Sequence, residues 1–243
     1  MPPSLPRRDL LRLAGAGLIA GVAAACGTGR GSDGAAPADP AARRRLHARG
    51  YLTSRPRASA PGSAPTGLLP LQLSGSDRDG AVYVPPSYRH DSPGPLVLTL
   101  HGAGGRTWDV VNGSFGPDPE FVDRALDLVF ARYAVDPSRL VAEGFSDGAS
   151  YALSLGLLNG NLFTHVIAFS PGFIVEGSRR GKPRLFVSHG VHDRVLPIDL
   201  CSRRIVRDLR GDDFDIRYTE FDGGHSVPTE IARAALDWLA GRA

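Results

Sequence analysis

Ser146 stands in the pentapeptide GFSDG, with Gly144 and Gly148 two positions before and after it. This Gly-x-Ser-x-Gly spacing is typical of a nucleophilic serine on a sharp turn between a strand and a helix, because the absent Cβ atoms leave room for the turn. The segment RLVAEGF at 139–145 is predicted as the strand, and residues 147–160 as the helix. We therefore predict that Ser146 is a catalytic nucleophile.

A serine hydroxyl at neutral pH needs a general base, and the base needs a carboxylate that orients it. His225 is the predicted base, because its loop FDGGHSVP follows the last predicted strand and holds two glycines that let the imidazole turn inward. Asp193, in SHGVHDRVLP, is the predicted acid, since it directly follows the strand 183–190. Asp199 falls in the next predicted helix and Asp222 only three residues before His225, so we interpret both as solvated charges.

The stretch HGAGG at 101–105 ends another apolar run, 95–102, and predicts an oxyanion-binding loop. Its glycines let the backbone approach a substrate carbonyl, and the amide N–H groups of Ala103 and Asp147 are the predicted donors to the oxyanion. Trp108, shortly after this loop, is a candidate for substrate binding. Its size and apolar character suit core packing equally well.

His189, His192 and Asp193 offer an alternative interpretation as a metal cluster. Two histidines three positions apart, with no third ligand at a regular spacing, do not match the pattern of a zinc site. We therefore expect a turn beside a catalytic acid, and no metal.

The predicted strands and helices alternate through most of the chain, which favours an α/β fold with a mostly parallel central sheet and helices on both faces. The run 95–102 is almost wholly apolar, so we expect it to be a central strand buried on both faces. An antiparallel pair precedes it. The predicted strands are 68–73, 81–85, 95–102, 139–145, 164–170, 183–190 and 214–223, and the predicted helices are 120–133, 147–160, 197–211 and 228–241.

The N-terminus resembles a bacterial export signal. Arg7 and Arg8 precede a short apolar stretch that ends in AAAC at Cys26, which suggests a twin-arginine or general signal followed by a lipidation site. We predict a signal over 1–26, a flexible tether over 27–49 and the folded domain over 50–243. The expected product is an exported lipoprotein anchored through Cys26; an ordinary cleaved signal is the alternative.

Charge and cysteine content limit the partners that we expect. The formal net charge of +3 arises from arginines within the first 67 residues, and the rest of the chain is mildly acidic, so no nucleic-acid partner is predicted. The chain has 2 cysteines, and Cys201 has no intrachain disulfide partner if Cys26 is lipidated or removed. We expect a monomer that meets the membrane only through its N-terminal lipid.

Several motifs together resemble bacterial α/β-hydrolase serine esterases of the phospholipase/carboxylesterase group, close to polyhydroxybutyrate depolymerases and feruloyl-esterase-like proteins. The resemblance runs from about residue 50 to the C-terminus and implies hydrolysis of a small-molecule or polymeric carboxylic ester. It implies the catalytic set Ser146, Asp193 and His225, and no cofactor. The motifs are VYVPPSY, PLVLTLHGAGG, TWDVV, GFSDGASYALSLGLLNG, VIAFSPGF, SHGVHDRVLPI and GGHSVP.

The sequence departs from the family in one place. Between Gly105 and the helix near residue 120 there is no room for the helix and strand that these enzymes usually carry there. We predict a sheet one strand short, with 96–101 beside a gap or, as we expect, paired directly with 80–84. The shortened sheet leaves open a catalytically impaired, membrane-tethered binding domain. A serine peptidase is a second alternative, because amide hydrolysis would use the same three residues.

Overall fold

The computed structural model describes residues 39–57, 64–73, 79–104, 108 and 115–242. The export signal and Cys26 lie outside the described residues. The elements, in chain order, are α1 (Pro40–His47), β1 (Gly67–Pro70), β2 (Ala81–Val84), β3 (Gly94–Leu100), α2 (Asp118–Arg132), β4 (Val135–Phe145), α3 (Asp147–Leu158), β5 (His165–Phe169), β6 (Arg184–Gly190), α4 (Ser202–Gly211), β7 (Ile216–Phe221) and α5 (Thr229–Leu239).

A five-stranded parallel sheet forms the centre of the fold, and its strands lie in the order β3-β4-β5-β6-β7. Helices α2, α3 and α4 pack on one face of the sheet, where Ala142, Val166 and Val187 are buried. Helix α5 packs on the other face, against Val141 and Phe186. The predicted fold class, a mostly parallel sheet between two layers of helices, is confirmed.

The strand β3 lies at one edge of this sheet and not in its interior. It pairs with β4 along one side, and Pro95 and Thr99 are exposed. Strand β2 pairs with β1 in a separate two-stranded antiparallel sheet. The predicted direct pairing of 96–101 with 80–84 is therefore wrong, as is the burial of this strand on both faces.

The physical reason is that an apolar run reports contact with a core on at least one face and says nothing about strand neighbours. Within the described residues, β3 has no strand partner on its outer side. Residues 105–107 and 109–114, where an additional strand would begin, lie outside the described residues. That the sheet is one strand short remains a prediction.

The end of the predicted tether is helical and docked on the domain. Asp39 caps α1 by accepting hydrogen bonds from the amides of Ala41 and Ala42, and Pro40 occupies the first helical position. His47, the last residue of α1, is buried, and its Nε2 lies 2.8 Å from Oδ2 of Asp123 in α2. The folded unit thus includes residues that the Gly-, Ala- and Arg-rich composition had assigned to the tether.

No helix within the described residues is both long enough and apolar enough to cross a membrane.

Candidate active site

The turn that carries Ser146 is a strained junction between β4 and α3. Ser146 has φ 59° and ψ −120°, a conformation that residues other than glycine rarely adopt and that costs about 1–3 kcal/mol. A Cβ at Gly144 would collide with the backbone of Gly148, and a Cβ at Gly148 would collide with the carbonyls of Leu100 and His101. The two glycines of the pentapeptide are therefore required by the turn itself.

The structure brings Ser146, His225 and Asp193 into one hydrogen-bonded chain. Oγ of Ser146 lies 2.8 Å from Nε2 of His225, and Nδ1 of the same ring lies 2.6 Å from Oδ2 of Asp193. Ser146 follows β4, Asp193 follows β6 and His225 follows β7, so the carboxyl ends of parallel strands bring them together. This geometry allows the imidazole to take the serine proton while the carboxylate stabilises the resulting charge.

Asp193 is buried, and its carboxylate is oriented by backbone donors. Its Oδ1 accepts hydrogen bonds from the amides of Val195 and Leu196, both at 2.9 Å. Burial by itself would raise the pKa of Asp193, but hydrogen bonds from Leu196, His225 and Val195 together hold this pKa below its usual value. The acid is therefore ionised at neutral pH, as an orienting carboxylate must be.

The loops that carry the acid and the base are packed backbone to backbone. The amide of Val191 donates to the carbonyl of Phe221 at 3.0 Å, and the amide of His192 donates to the carbonyl of Gly223 at 2.9 Å. A Cβ at Gly190 would collide with the carbonyls of Gly223 and Gly224. This close approach sets the distance between Asp193 and His225.

The other two carboxylates near the site have different partners. Asp199 pairs with Arg203 at 2.8 Å, and Asp222 pairs with the exposed His192 at 3.1 Å. Both side chains are largely exposed, in agreement with their interpretation as solvated charges.

The predicted oxyanion donors lie on the two loops that meet at the turn. Asp147 directly follows Ser146 and is the first residue of α3, and the first amide N–H groups of a helix have no acceptor within the helix. A Cβ at Gly102 would lie 3.4 Å from Cβ of Ser146, so the loop that contains Ala103 passes directly by the serine. Ala103 itself is exposed.

The side chain of Asp147 connects these two loops. Its Oδ2 accepts a hydrogen bond of 2.9 Å from the amide of Trp108. The indole Nε1 of Trp108 in turn donates to the carbonyl of His101 at 2.8 Å, and its ring lies 4.9 Å from both the His101 and Tyr151 rings. Trp108 is half-buried, and its ring packs against His101, Tyr151 and the hydrophobic core. This placement fits the core-packing alternative, and substrate binding by Trp108 stays a prediction.

His192 points away from the other two residues of the alternative metal cluster, towards the exposed Asp222. No group of three or more His, Cys, Asp or Glu side chains that could hold a metal ion occurs among the residues that the structure describes.

Two curated relatives share moderate sequence similarity with the chain. One is "Probable feruloyl esterase C" from Aspergillus niger, 27% identical over 183 residues, which cover 61% of this chain and 67% of the relative. The other is "Feruloyl esterase C" from Emericella nidulans, 26% identical over 160 residues, which cover 53% of this chain and 58% of the relative. The match thus spans about three fifths to two thirds of their length. No family model matches the chain.

Solved structures show the same architecture. Esterase PE8 superposes with a TM-score of 0.52 at 21% identity, over 61% of this chain and 93% of that one. A thermostable esterase gives a TM-score of 0.53 at 19% identity, over 72% of this chain and 62% of that one. The chain has an α/β-hydrolase fold. The predicted resemblance to esterases of this fold is likewise confirmed.

Within this fold, sequence reasoning missed a buried layer behind Asp193. His189 and Ser202 are both fully buried, and the imidazole contacts Asp193, Leu196 and Ser202. The signal was present in the sequence, because a histidine inside an otherwise apolar strand must find polar partners. Its partners, up to 13 positions away, became identifiable only once β6, the acid loop and α4 were in place.

Proposed function

We propose that this α/β-hydrolase cleaves carboxylic esters through an acyl-enzyme formed on Ser146. The observation that carries the proposal is the continuous hydrogen-bonded chain from Ser146 through His225 to Asp193 on a strained turn. The relatives named as feruloyl esterases support the ester as the bond that is attacked.

The proposed reaction has two halves. In the first, Nε2 of His225 accepts the Ser146 proton as Oγ attacks the ester carbonyl, and the amides of Asp147 and Ala103 stabilise the oxyanion. The alcohol then leaves with the proton that His225 held. In the second half, His225 activates a water molecule that attacks the acyl group, and the proton returns to Oγ as the carboxylic acid departs.

For the acyl side of the substrate we propose an aromatic acid. The support is that the two relatives are named as feruloyl esterases, together with the half-buried indole of Trp108 beside the oxyanion loop. We expect methyl ferulate to be hydrolysed at least about fivefold faster, in kcat/KM, than methyl hexanoate, because aromatic stacking contributes about 1 kcal/mol beyond the area that it buries. Equal rates, or a preference for hexanoate, would contradict the aromatic class and leave ester cleavage unaffected.

The test of the nucleophile is Ser146→Ala, assayed with p-nitrophenyl acetate and with a fluorophosphonate probe that labels activated serines. We expect turnover to fall by about 10³-fold or more and labelling to disappear, because the three catalytic residues act as a unit. Ser178→Ala is the matched control, since this exposed serine lies far from the turn in the sequence and should label and react like the wild type.

Either of two results would overturn the proposal. A wild-type chain that neither labels nor hydrolyses any ester would favour the impaired binding domain. Cleavage of p-nitroanilides with a higher kcat/KM than the corresponding p-nitrophenyl esters would favour the peptidase.

A further inference from the structure

A fully buried histidine stands directly behind the acid of the proposed triad. His189 is the second-last residue of β6, and its side chain is completely enclosed. Its Nδ1 lies 2.6 Å from Oγ of Ser202, its Nε2 lies 2.8 Å from the carbonyl of Leu196, and the same Nε2 lies 3.2 Å from Oδ2 of Asp193. One ring thus contacts the acid, the loop that carries the acid and the start of α4.

These partners determine which nitrogen of His189 carries the proton. The carbonyl oxygen of Leu196 and the carboxylate of Asp193 can only accept hydrogen bonds, so Nε2 must be protonated. The hydroxyl of Ser202 can donate, so it donates to an unprotonated Nδ1. The ring is then a neutral Nε2–H tautomer with both nitrogens satisfied.

Other titratable groups near this ring are accounted for. Burial lowers the pKa of His189, which outweighs the opposing effects of the Leu196 carbonyl and the Asp193 charge, while the charge of His225 lowers it further. On β7, Glu220 lies opposite His189 in register and forms an ion pair with Arg203 at the surface. On the α4 side, burial raises the pKa of the Cys201 thiol, which stays neutral.

Oδ2 of Asp193 consequently lies close to two imidazole nitrogens. Nδ1 of His225 is hydrogen-bonded to it at 2.6 Å, and Nε2 of His189, which is hydrogen-bonded to the Leu196 carbonyl, lies 3.2 Å from it. A carboxylate oxygen that already accepts one hydrogen bond has less charge available for a second, because each donor withdraws electron density from it.

We propose that His189 is a positioning residue for the triad: its Nε2–H holds the Asp193 carboxylate in the plane of His225 and moderates the attraction of Asp193 for the proton on that ring. This inference rests on the function proposed above, since it assigns His189 a role in the same reaction. A neutral donor suits this role, because a charged one would compete with the imidazolium that forms during the reaction.

The experiment compares two amides that reproduce different halves of the imidazole. The amide nitrogen of His189→Gln reaches the place of Nε2 and keeps the donor to Asp193. The shorter side chain of His189→Asn reaches only the place of Nδ1 and loses that donor. Ser202→Ala removes the other hydrogen bond of the ring and leaves the contact with Asp193.

On p-nitrophenyl acetate we expect His189→Asn to lower kcat about tenfold with KM unchanged. The acidic limb of its profile of kcat/KM against pH should move to higher pH by about half a unit. The reason is that Oδ2 of Asp193, without the His189 donor, stabilises the imidazolium form of His225 more strongly. His189→Gln should stay within about threefold of wild-type kcat and keep the wild-type limb. Ser202→Ala should lower the melting temperature without moving the limb.

A second measurement does not depend on turnover. The downfield proton resonance of the His225–Asp193 hydrogen bond, identified by its loss in Asp193→Asn, should titrate at higher pH in His189→Asn and at the wild-type pH in His189→Gln. This shift supports the inference even if the chain cleaves no ester, in which case only the proposed function fails. The inference would be overturned if His189→Asn and His189→Gln lost kcat equally while the resonance and the acidic limb of the kcat/KM profile stayed at their wild-type pH. His189 would then have only a structural role.

Discussion

At the scale of single residues, the site depends on which carboxylate reaches His225. Only Asp193, among the three aspartates considered from the sequence, has an oxygen within 2.6 Å of Nδ1 of this ring. Asp199 pairs with Arg203 and Asp222 with His192 instead. The choice of acid therefore follows from loop geometry and not from sequence distance, since Asp222 is the nearest of the three to His225 along the chain.

We expect Asp193→Asn to lower kcat/KM on p-nitrophenyl acetate by about 10³- to 10⁴-fold, because an amide in that place can no longer hold the reactive tautomer of His225. Asp199→Asn and Asp222→Asn are the matched controls and should stay within about threefold of the wild type. If either control lost as much kcat/KM as Asp193→Asn, Asp193 would not be the residue that orients His225.

That Ser146, Asp193 and His225 lie together could be predicted from the sequence because each has a local signature. Gly144 and Gly148 indicate the turn, and Asp193 and His225 each follow a strand that the sequence predicts. The layer formed by His189 and Ser202 could not be predicted in this way. Its contacts join residues from a strand, a loop and a helix whose relative placement no local pattern contains.

At the scale of secondary-structure elements, the least predictable feature was the position of β3. Its apolar sequence fits a central strand and an edge strand equally well, because one buried face already demands apolar residues. The helix α1 was missed for the opposite reason. Its composition resembles a linker, and what fixes it is the contact between His47 and Asp123, 76 positions apart.

Strand β4 also holds a titratable group that the proposed chemistry does not use. Glu143 in β4 is buried and lies in register with Thr99 of the edge strand β3. Burial raises the pKa of Glu143 from its usual value of 4.5 to about 7, although a hydrogen bond with Thr99 opposes the shift. Because the folded state binds this proton more tightly than the unfolded chain, the stability from this group is fully present below pH 4.5 and is lost as the pH rises through about 7.

We expect Glu143→Gln to remove this pH dependence. From pH 4.5 to pH 8 the free energy of unfolding of the wild type should fall by about 3 kcal/mol relative to that of the variant. Urea unfolding at both pH values measures the difference. Glu230→Gln, at the exposed start of α5, is the control and should follow the wild type. If Glu143→Gln also parallels the wild type at both pH values, Glu143 titrates normally in the folded chain.

At the scale of the whole molecule, α1 is the first element that the structure describes, and 13 residues, 27–39, separate it from Cys26 in the sequence. We propose that the mature chain starts at a lipidated Cys26, as the small residues before this cysteine predict. Because α1 docks on α2, an anchor at Cys26 would keep the domain close to the membrane surface.

We expect Cys26→Ala to move the protein from the membrane fraction to the soluble fraction, since a lipid anchor cannot form without the thiol. Cys201→Ala is the control and should remain in the membrane fraction, because Cys201 is buried in the domain. Mass spectrometry that finds an unmodified Cys26, or a mature N-terminus elsewhere, would reject lipidation and leave the hydrolase proposal intact.

The order of the strands has a consequence for how the chain folds. From β3 to β7 each strand pairs with the one that precedes it in sequence, so the sheet can grow by addition at one edge. Such growth keeps each loop closure short and orders the assembly from the N-terminal side. The turn of Ser146 then forms early, and His225, which follows β7, arrives last. A folding intermediate that lacks β7 would carry its nucleophile without a base and would therefore be catalytically silent.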